Sequence, residues 1–185
     1  REGAASLLIP AGRSDTGVSV NGTRKRTIDF RDKNIRKEEN EMGQIILASA
    51  SPRRKELLEQ IGISFEICPA KGEERITKSV PHEVVEELAS QKAVEVASMV
   101  RTYEETHQEL VTPSDLMVIG ADTIVSCGGQ ILGKPKDEHD ASRMLKLLSG
   151  GTHQVYTGVS IVLLDASGKA GQVTFHEKTD VTMRA

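Results

Sequence analysis

Two neighbouring arginines, Arg53 and Arg54, lie where Ser51 and Pro52 predict that a helix begins. A helix N-terminus carries partial positive charge, which disfavours a cation in the first turn by roughly 0.3–1 kcal/mol. A strand that runs through small hydroxyl residues such as Ser49 into a helix N-terminus also presents backbone N–H groups to phosphate. The sequence therefore favours a bound anion here. The alternative is two exposed arginines that pair with nearby glutamates.

Arg54 also extends an apolar stripe of the same predicted helix. With Leu57, Leu58 and Ile61 it follows the i, i+3, i+4, i+7 spacing of one helix face. This spacing predicts that the Arg54 side chain points inward.

Two lysines stand at unusual positions. Lys92 interrupts an apolar stripe of the helix predicted from Pro81 to about Arg101, so it either extends to solvent or reaches a cleft that holds a negative group. Lys134 precedes Pro135, which keeps the lysine backbone extended and fixes the direction of its side chain. The alternative for Lys134 is an ordinary exposed loop lysine.

Acidic residues supply the opposite charge. Asp122 follows the apolar run 116–119 and is predicted at a strand end, half-buried, where an unpaired charge would be costly. A divalent cation or a cluster of basic side chains would offset that cost, whereas a turn aspartate bonded to backbone N–H groups is the alternative. Glu73 and Glu74 are candidate second carboxylates, unless they are simply solvated.

Taken together, these residues fit a metal-assisted reaction on a polyphosphate. Cations neutralise phosphate oxygens, carboxylates hold Mg²⁺, and a carboxylate base prepares water for in-line attack. No GxxxxGK[ST] motif occurs, which excludes a P-loop. The five histidines show no metal spacing and are interpreted as surface or structural residues.

Length and composition predict one domain in 185 residues, with residues 1–41 a disordered or non-native leader. A net charge of −3 gives no support to binding of nucleic acid or of a membrane surface, and no apolar run reaches the roughly 18–20 residues of a membrane span. From residue 42 to 185, strand and helix signals alternate, which predicts an α/β fold with a mixed twisted sheet flanked by helices. The predicted strands lie at 45–47, 65–68, 116–119, 123–126, 130–132, 153–164 and 173–183. The predicted helices run from 52 to 61, from Pro81 to about Arg101, and from Asp137 or Glu138 to Leu148.

Several segments also resemble one known family, the Maf nucleoside triphosphate pyrophosphatases, in the same order and spacing. The matching segments are SASPRRKELL (49–58), the Glu74 region, LASQKA (88–93), VIGADTIV (118–125), GKPKD (133–137), MLKLLSGGTHQVYTGV (144–159) and KTDVT (178–182). The resemblance implies a fold shared with inosine triphosphate pyrophosphatases. It also implies hydrolysis of a nucleoside triphosphate to the monophosphate and pyrophosphate, with Mg²⁺ or Mn²⁺, as housecleaning in the cytoplasm. A homodimer is kept as a hypothesis.

Site residues carried over by the resemblance divide into three roles. The catalytic set is Asp122 as proton acceptor with Glu74, Lys92 and Lys134; the metal ligands are Glu74 and Asp122; the substrate-binding set is Ser49, Ser51, Arg53, Arg54 and Thr123. Arg53 and Thr123 also match positions associated with base choice. They resemble the dTTP/UTP branch rather than the 7-methyl-GTP branch.

The family pattern continues for roughly a third of its length past KTDVT, including a glutamine associated with base selection. The resemblance therefore implies an incomplete C-terminal part with an unpaired sheet edge. Three alternatives stay open beside the dTTP/UTP enzyme: a nucleotide-binding or septum-related regulatory protein without turnover, a 7-methyl-GTP-type pyrophosphatase, and a poorly folded fragment.

Overall fold

The computed structural model describes residues 43–107 and 115–184, together with the backbone of residues 26–27. The leader expected over residues 1–41 lies outside the described residues except for that two-residue segment. Within the described parts, no helix has both the length and the apolar character needed to cross a membrane.

Seven strands and three helices follow one another along the described chain. They are β1 (Arg26–Thr27), β2 (Gln44–Leu47), α1 (Pro52–Gln60), β3 (Glu66–Ile67), α2 (Pro81–Thr106), β4 (Leu116–Cys127), β5 (Gln130–Leu132), α3 (Glu138–Leu148), β6 (Thr152–Leu164) and β7 (Ala170–Thr182). The strands form one sheet in the order β1-β3-β2-β4-β6-β7, with β5 paired to β4. β2 runs parallel to β3 and β4, whereas β6 is antiparallel to β4 and β7. The prediction of a mixed sheet flanked by helices is confirmed.

The central strand β4 is longer than the sequence predicts. We expected two strands, at 116–119 and 123–126, with Asp122 at the end of the first; β4 instead continues unbroken to Cys127. The reason is its antiparallel partner, since β6 pairs with β4 at every position from Leu116 to Ser126 and holds the intervening residues extended. The parallel partner β2 stops earlier, where Leu47 faces Ile119. Asp122 therefore lies in mid-strand, just beyond the carboxyl end of β2.

The long helix α2 covers one face of the sheet. Its buried side chains recur at helical spacing and include Val85, Ala89, Ala93 and Val96, and several of them join the core beneath β2 and β4. Two glycines bring helix and sheet unusually close. A Cβ atom on Gly120 of β4 would lie 2.3 Å from the Ala89 carbonyl oxygen, and one on Gly158 of β6 would lie 2.2 Å from that of Val85.

The short helices α1 and α3 bury no residue completely. Ser51 is the N-cap residue of α1, as predicted, but its side chain makes no capping hydrogen bond. The predicted inward stripe is wrong for Leu57 and Ile61, which are 52% and 68% exposed, because no described element covers that side of the helix. Asp137 caps α3 by accepting a hydrogen bond from the Asp140 backbone N–H at 2.7 Å.

Candidate active site

Lys92, Glu74 and Asp122 meet between α2, the loop before it and β4. The Lys92 Nζ atom lies 2.9 Å from Glu74 Oε1 and also forms a short ion pair with Asp122 Oδ1. The side chains of Lys92 and Asp122 are only 17% and 15% exposed, whereas Glu74 is 53% exposed. Of the two alternatives for Lys92, extension to solvent is wrong, because its ammonium group contacts two carboxylates.

Arg54 lies on α1 and contacts Thr123, the residue after Asp122 on β4. Its Nη1 donates to Ser49 Oγ at 3.0 Å and its Nη2 donates to Thr123 Oγ1 at 3.2 Å, next to Asp122. Burial lowers the pKa of Arg54, and the negative charge of Asp122 opposes that shift. A guanidinium group stays protonated near neutrality despite such shifts. The inward direction predicted for Arg54 is therefore correct, although its helix stripe is not buried.

Small hydroxyl groups complete this side of the site. Ser49 is buried, and its Oγ also accepts a hydrogen bond from the Ser51 backbone N–H at 3.3 Å. The Thr123 hydroxyl lies 3.1 Å from that of Thr157 on β6, a contact that the sequence did not indicate. Hydroxyl and guanidinium groups thus lie together between the end of β2 and the middle of β4. Because successive side chains of a strand alternate in direction, Thr123 points to the opposite face of β4 from Asp122.

The two remaining candidates lie apart from this cluster. Arg53 is exposed on the first turn of α1, and Lys134 is exposed in the loop between β5 and α3. The described contacts of Glu74, Lys92 and Asp122 do not include either residue. Their roles remain predictions.

The cluster has the chemistry of a site for a hard cation that is completed by another ligand. Glu74 and Asp122 face a common point, which Lys92 occupies, and carboxylate oxygens are the ligands that Mg²⁺ and Mn²⁺ prefer. Across residues 43–107 and 115–184 there is no group of three or more His, Cys, Asp or Glu residues that could hold a metal. Two carboxylates fit Mg²⁺ when phosphate oxygens supply further ligands.

Sequence reasoning missed the residues that hold the Glu74 loop. Glu87, Gln91 and Glu95 lie on α2 and accept hydrogen bonds from backbone N–H groups between residues 71 and 77. Their spacing of four residues was a visible signal of a polar stripe on one helix face. What the sequence did not show is that a neighbouring loop runs along this stripe.

Comparison with known proteins identifies the family. The family model for the Maf-like protein matches residues 44–185. A protein of Agathobacter rectalis, "dTTP/UTP pyrophosphatase", is 67% identical over 142 residues, which are 77% of this chain and 69% of that protein. Proteins with the same description from Lachnoclostridium phytofermentans and Bacillus cereus are 44% and 49% identical. The matches cover 77% and 80% of this chain and 66% and 64% of those two proteins.

Solved structures are more distant. A HAM1 protein from Coxiella burnetii is 15% identical with a TM-score of 0.41, covering 74% of this chain and 71% of that one. A nucleoside-triphosphatase, or dITP/XTP pyrophosphatase, from Mycobacterium abscessus is 16% identical with a TM-score of 0.34, covering 75% and 72%. Scores of this size carry no argument about the site. The family model spans nearly all of the described residues, and together with the 67% identity it shows that this chain belongs to the Maf family.

Proposed function

We propose that this chain hydrolyses dTTP and UTP to the nucleoside monophosphate and pyrophosphate. The observation that carries the proposal is the position of Lys92 between Glu74 and Asp122, with Arg54 bonded to Ser49 and to Thr123, the residue after Asp122. Paired cations and carboxylates at the end of a parallel strand suit a polyphosphate. The relatives described as dTTP/UTP pyrophosphatases support the substrate.

Each of the site residues has a separate role in the proposed reaction. Arg54 and the N–H groups at the start of α1 bind phosphate oxygens, and Lys92 neutralises the charge that builds up as the reaction proceeds. Asp122 accepts the proton of a water molecule whose oxygen attacks the α-phosphorus. The bond between that phosphorus and the bridging oxygen breaks, and pyrophosphate leaves in line with the attacking oxygen.

A divalent cation, Mg²⁺ or Mn²⁺, is part of the proposal, and Glu74 and Asp122 would hold it. When bound, it supplies neutralising charge for the phosphate oxygens. Lys92 forms ion pairs with both carboxylates and so holds them close to each other.

Further residues and properties complete the proposal. Arg53 and Thr123 contribute to the choice of base, Ser51 contributes to the phosphate-binding turn, and Lys134 contacts phosphate from the loop before α3. The family resemblance supports these roles, together with a housecleaning function in the cytoplasm. A homodimer is kept as a hypothesis for the assembly.

Product analysis tests the proposal. The chain is incubated with dTTP, UTP or 7-methyl-GTP and with Mg²⁺ or Mn²⁺, and the products are separated. We expect monophosphate and pyrophosphate from dTTP and UTP. The diphosphate with inorganic phosphate, or turnover of 7-methyl-GTP alone, would contradict the proposal.

A second candidate is a nucleotide-binding protein without turnover. It is favoured by one observation, that Lys92 engages both carboxylates and leaves neither without a partner. It predicts that dTTP raises the melting temperature while the unmutated chain releases no pyrophosphate.

A further inference from the structure

The loop that carries Glu74 has little backbone structure of its own. Residues 68–80 connect β3 to α2, and residues 69–79 of this connection form no backbone–backbone hydrogen bond with the described residues. Residues 71–80 are all exposed. The ion pair between Glu74 and Lys92 cannot by itself fix this loop, since a pair with one exposed partner contributes about 0–1 kcal/mol.

Three side chains of α2 hold the loop instead, and we call Glu87, Gln91 and Glu95 the α2 ladder. Glu95 Oε1 accepts hydrogen bonds from the N–H groups of Lys71 and Gly72, at 2.7 and 2.9 Å. A Cβ atom on Gly72 would lie only 2.7 Å from the other carboxylate oxygen of Glu95, so the glycine permits this close approach.

The other two members of the α2 ladder hold the following part of the loop. Gln91 Oε1 accepts from the Arg75 N–H at 3.0 Å, and Gln91 Nε2 donates to the Arg75 carbonyl at 2.6 Å. The carboxylate of Glu87 accepts from both the N–H and the hydroxyl of Thr77, at 2.9 and 2.6 Å. The loop therefore runs antiparallel to α2 and is bonded once per helical turn.

We propose that the α2 ladder consists of positioning residues that hold Glu74 against Lys92, an inference that rests on the proposed function. Gln91 is next to Lys92 in the chain, and its partner Arg75 is next to Glu74. Because Gln91 bonds both backbone polar groups of Arg75, it also fixes the backbone position of the neighbouring Glu74 relative to Lys92. On either side of Arg75, backbone N–H groups of the loop donate to the carboxylates of Glu95 and Glu87. These bonds hold the loop in the same alignment along α2.

The positioning role of the α2 ladder is tested by comparing Gln91→Ala, Glu95→Ala and Glu95→Gln with the unmutated chain. Glu105→Ala is the control, because it removes an exposed carboxylate elsewhere on α2. The readouts are amide hydrogen exchange of residues 71–77, the kcat and KM for dTTP, and the Mg²⁺ concentration that gives half-maximal activity.

We expect both alanine variants to exchange faster at residues 71–77 and to lose about 10-fold or more in kcat, since small misplacements of reacting groups are costly. The half-saturating Mg²⁺ concentration should rise several-fold, as expected when a ligand is displaced. The KM for dTTP should change little. Glu95→Gln should restore most of the activity because its amide oxygen still accepts both hydrogen bonds.

Two results would overturn the inference. Unchanged exchange in Gln91→Ala and Glu95→Ala would show that the ladder does not hold the loop. Faster exchange of residues 71–77 in these variants, with unchanged kcat and Mg²⁺ dependence, would show that activity does not require the loop to be held. If the unmutated chain releases no pyrophosphate, the proposed function fails separately. The exchange measurement then still decides whether the ladder fixes the loop.

Discussion

At the residue scale, the site depends on how the charge of Lys92 is balanced. The ammonium group is mostly shielded from water and lies between two carboxylates, so each of the three groups depends on the other two. We expect Lys92→Met to lower kcat by about 100-fold or more, in the range seen when a group that stabilises transition-state charge is lost. Steady-state kinetics with dTTP check this. Lys146→Met on α3 is the control, and an equal loss there would contradict the interpretation.

Arg54 should act mainly on substrate binding. Arg54→Ala removes a charged double donor beside the proposed phosphate site, and we expect the KM for dTTP to rise about 10-fold, equivalent to one strong hydrogen bond to a charged group. Arg54→Lys should recover only part of this loss, because an ammonium group cannot reproduce the fork that contacts Ser49 and Thr123. A KM unchanged in both variants would show that phosphate does not bind at Arg54.

Sequence reasoning at this scale succeeded where a charge interrupts an apolar pattern. Lys92 and Arg54 both break helix stripes, and they contact Asp122 and Thr123, two neighbouring residues of β4. It failed for Leu57 and Ile61, because periodicity assumes that something covers the apolar face. Sequence reasoning also did not find the α2 ladder. The partners of these side chains are backbone groups of a loop whose sequence has no hydrophobic periodicity.

At the element scale, the position of α2 on the sheet sets the distance between Lys92 and Asp122. Gly120 is two residues before Asp122, and a side chain there would collide with backbone atoms of α2. We expect Gly120→Ala to reduce the free energy of unfolding by about 1–3 kcal/mol, as for other overpacked sites, and to lower kcat. Gly171→Ala is a matched control, since nothing lies within 4 Å of its added carbon. Urea unfolding measures the effect, and equal unfolding midpoints for Gly120→Ala and Gly171→Ala would contradict this account.

The hydrogen bonds between the Glu87 side chain of α2 and the Glu74 loop should weaken in acid. Hydrogen bonds from Thr77 lower the pKa of Glu87, so the folded state favours the ionised carboxylate. This contribution is present at neutral pH and is lost as the pH falls through the lowered pKa. Amide exchange of Thr77, corrected for its intrinsic pH dependence, should become faster relative to other loop amides in acid. Glu87→Gln should remove this extra dependence, and an identical profile in both proteins would contradict it.

The boundaries of the elements were predictable where turn residues mark them. Pro52, Pro81 and Asp137 begin their helices, or cap them, as the sequence indicates. The continuity of β4 was not predictable, because the polar residues in its middle resemble a strand end when read alone. Pairing with β6, almost forty residues further along, is what keeps them extended.

At the scale of the whole molecule, membership of the Maf family and the mixed sheet agree with the architecture that the sequence predicts. β7 forms an edge of the described sheet and leaves Val173 and Phe175 59% and 44% exposed. That the C-terminal part is incomplete stays a prediction of the family resemblance, and strand periodicity alone could not say which strand would lie at the edge.

Nucleotide binding should stabilise the molecule as a whole. A ligand that binds only the folded state adds about 2.7 kcal/mol at a concentration 100 times its Kd. We therefore expect a non-hydrolysable dTTP analogue with Mg²⁺ to raise the melting temperature, and Arg54→Ala to reduce that rise. Differential scanning fluorimetry measures both. An analogue that leaves the melting temperature of the unmutated chain unchanged at millimolar concentration would contradict nucleotide binding.

The most direct test is pyrophosphate release from dTTP with Mg²⁺, measured for the unmutated chain and for Asp122→Asn. Asp115→Asn, just before the other end of β4, is the control, because its remaining oxygen can still accept the Ala166 N–H. We expect release by the unmutated chain and the control, and a loss of about 100-fold or more in Asp122→Asn, as for removal of a general base. No release by the folded unmutated chain, or equal release by Asp122→Asn, would contradict the assignment of this site.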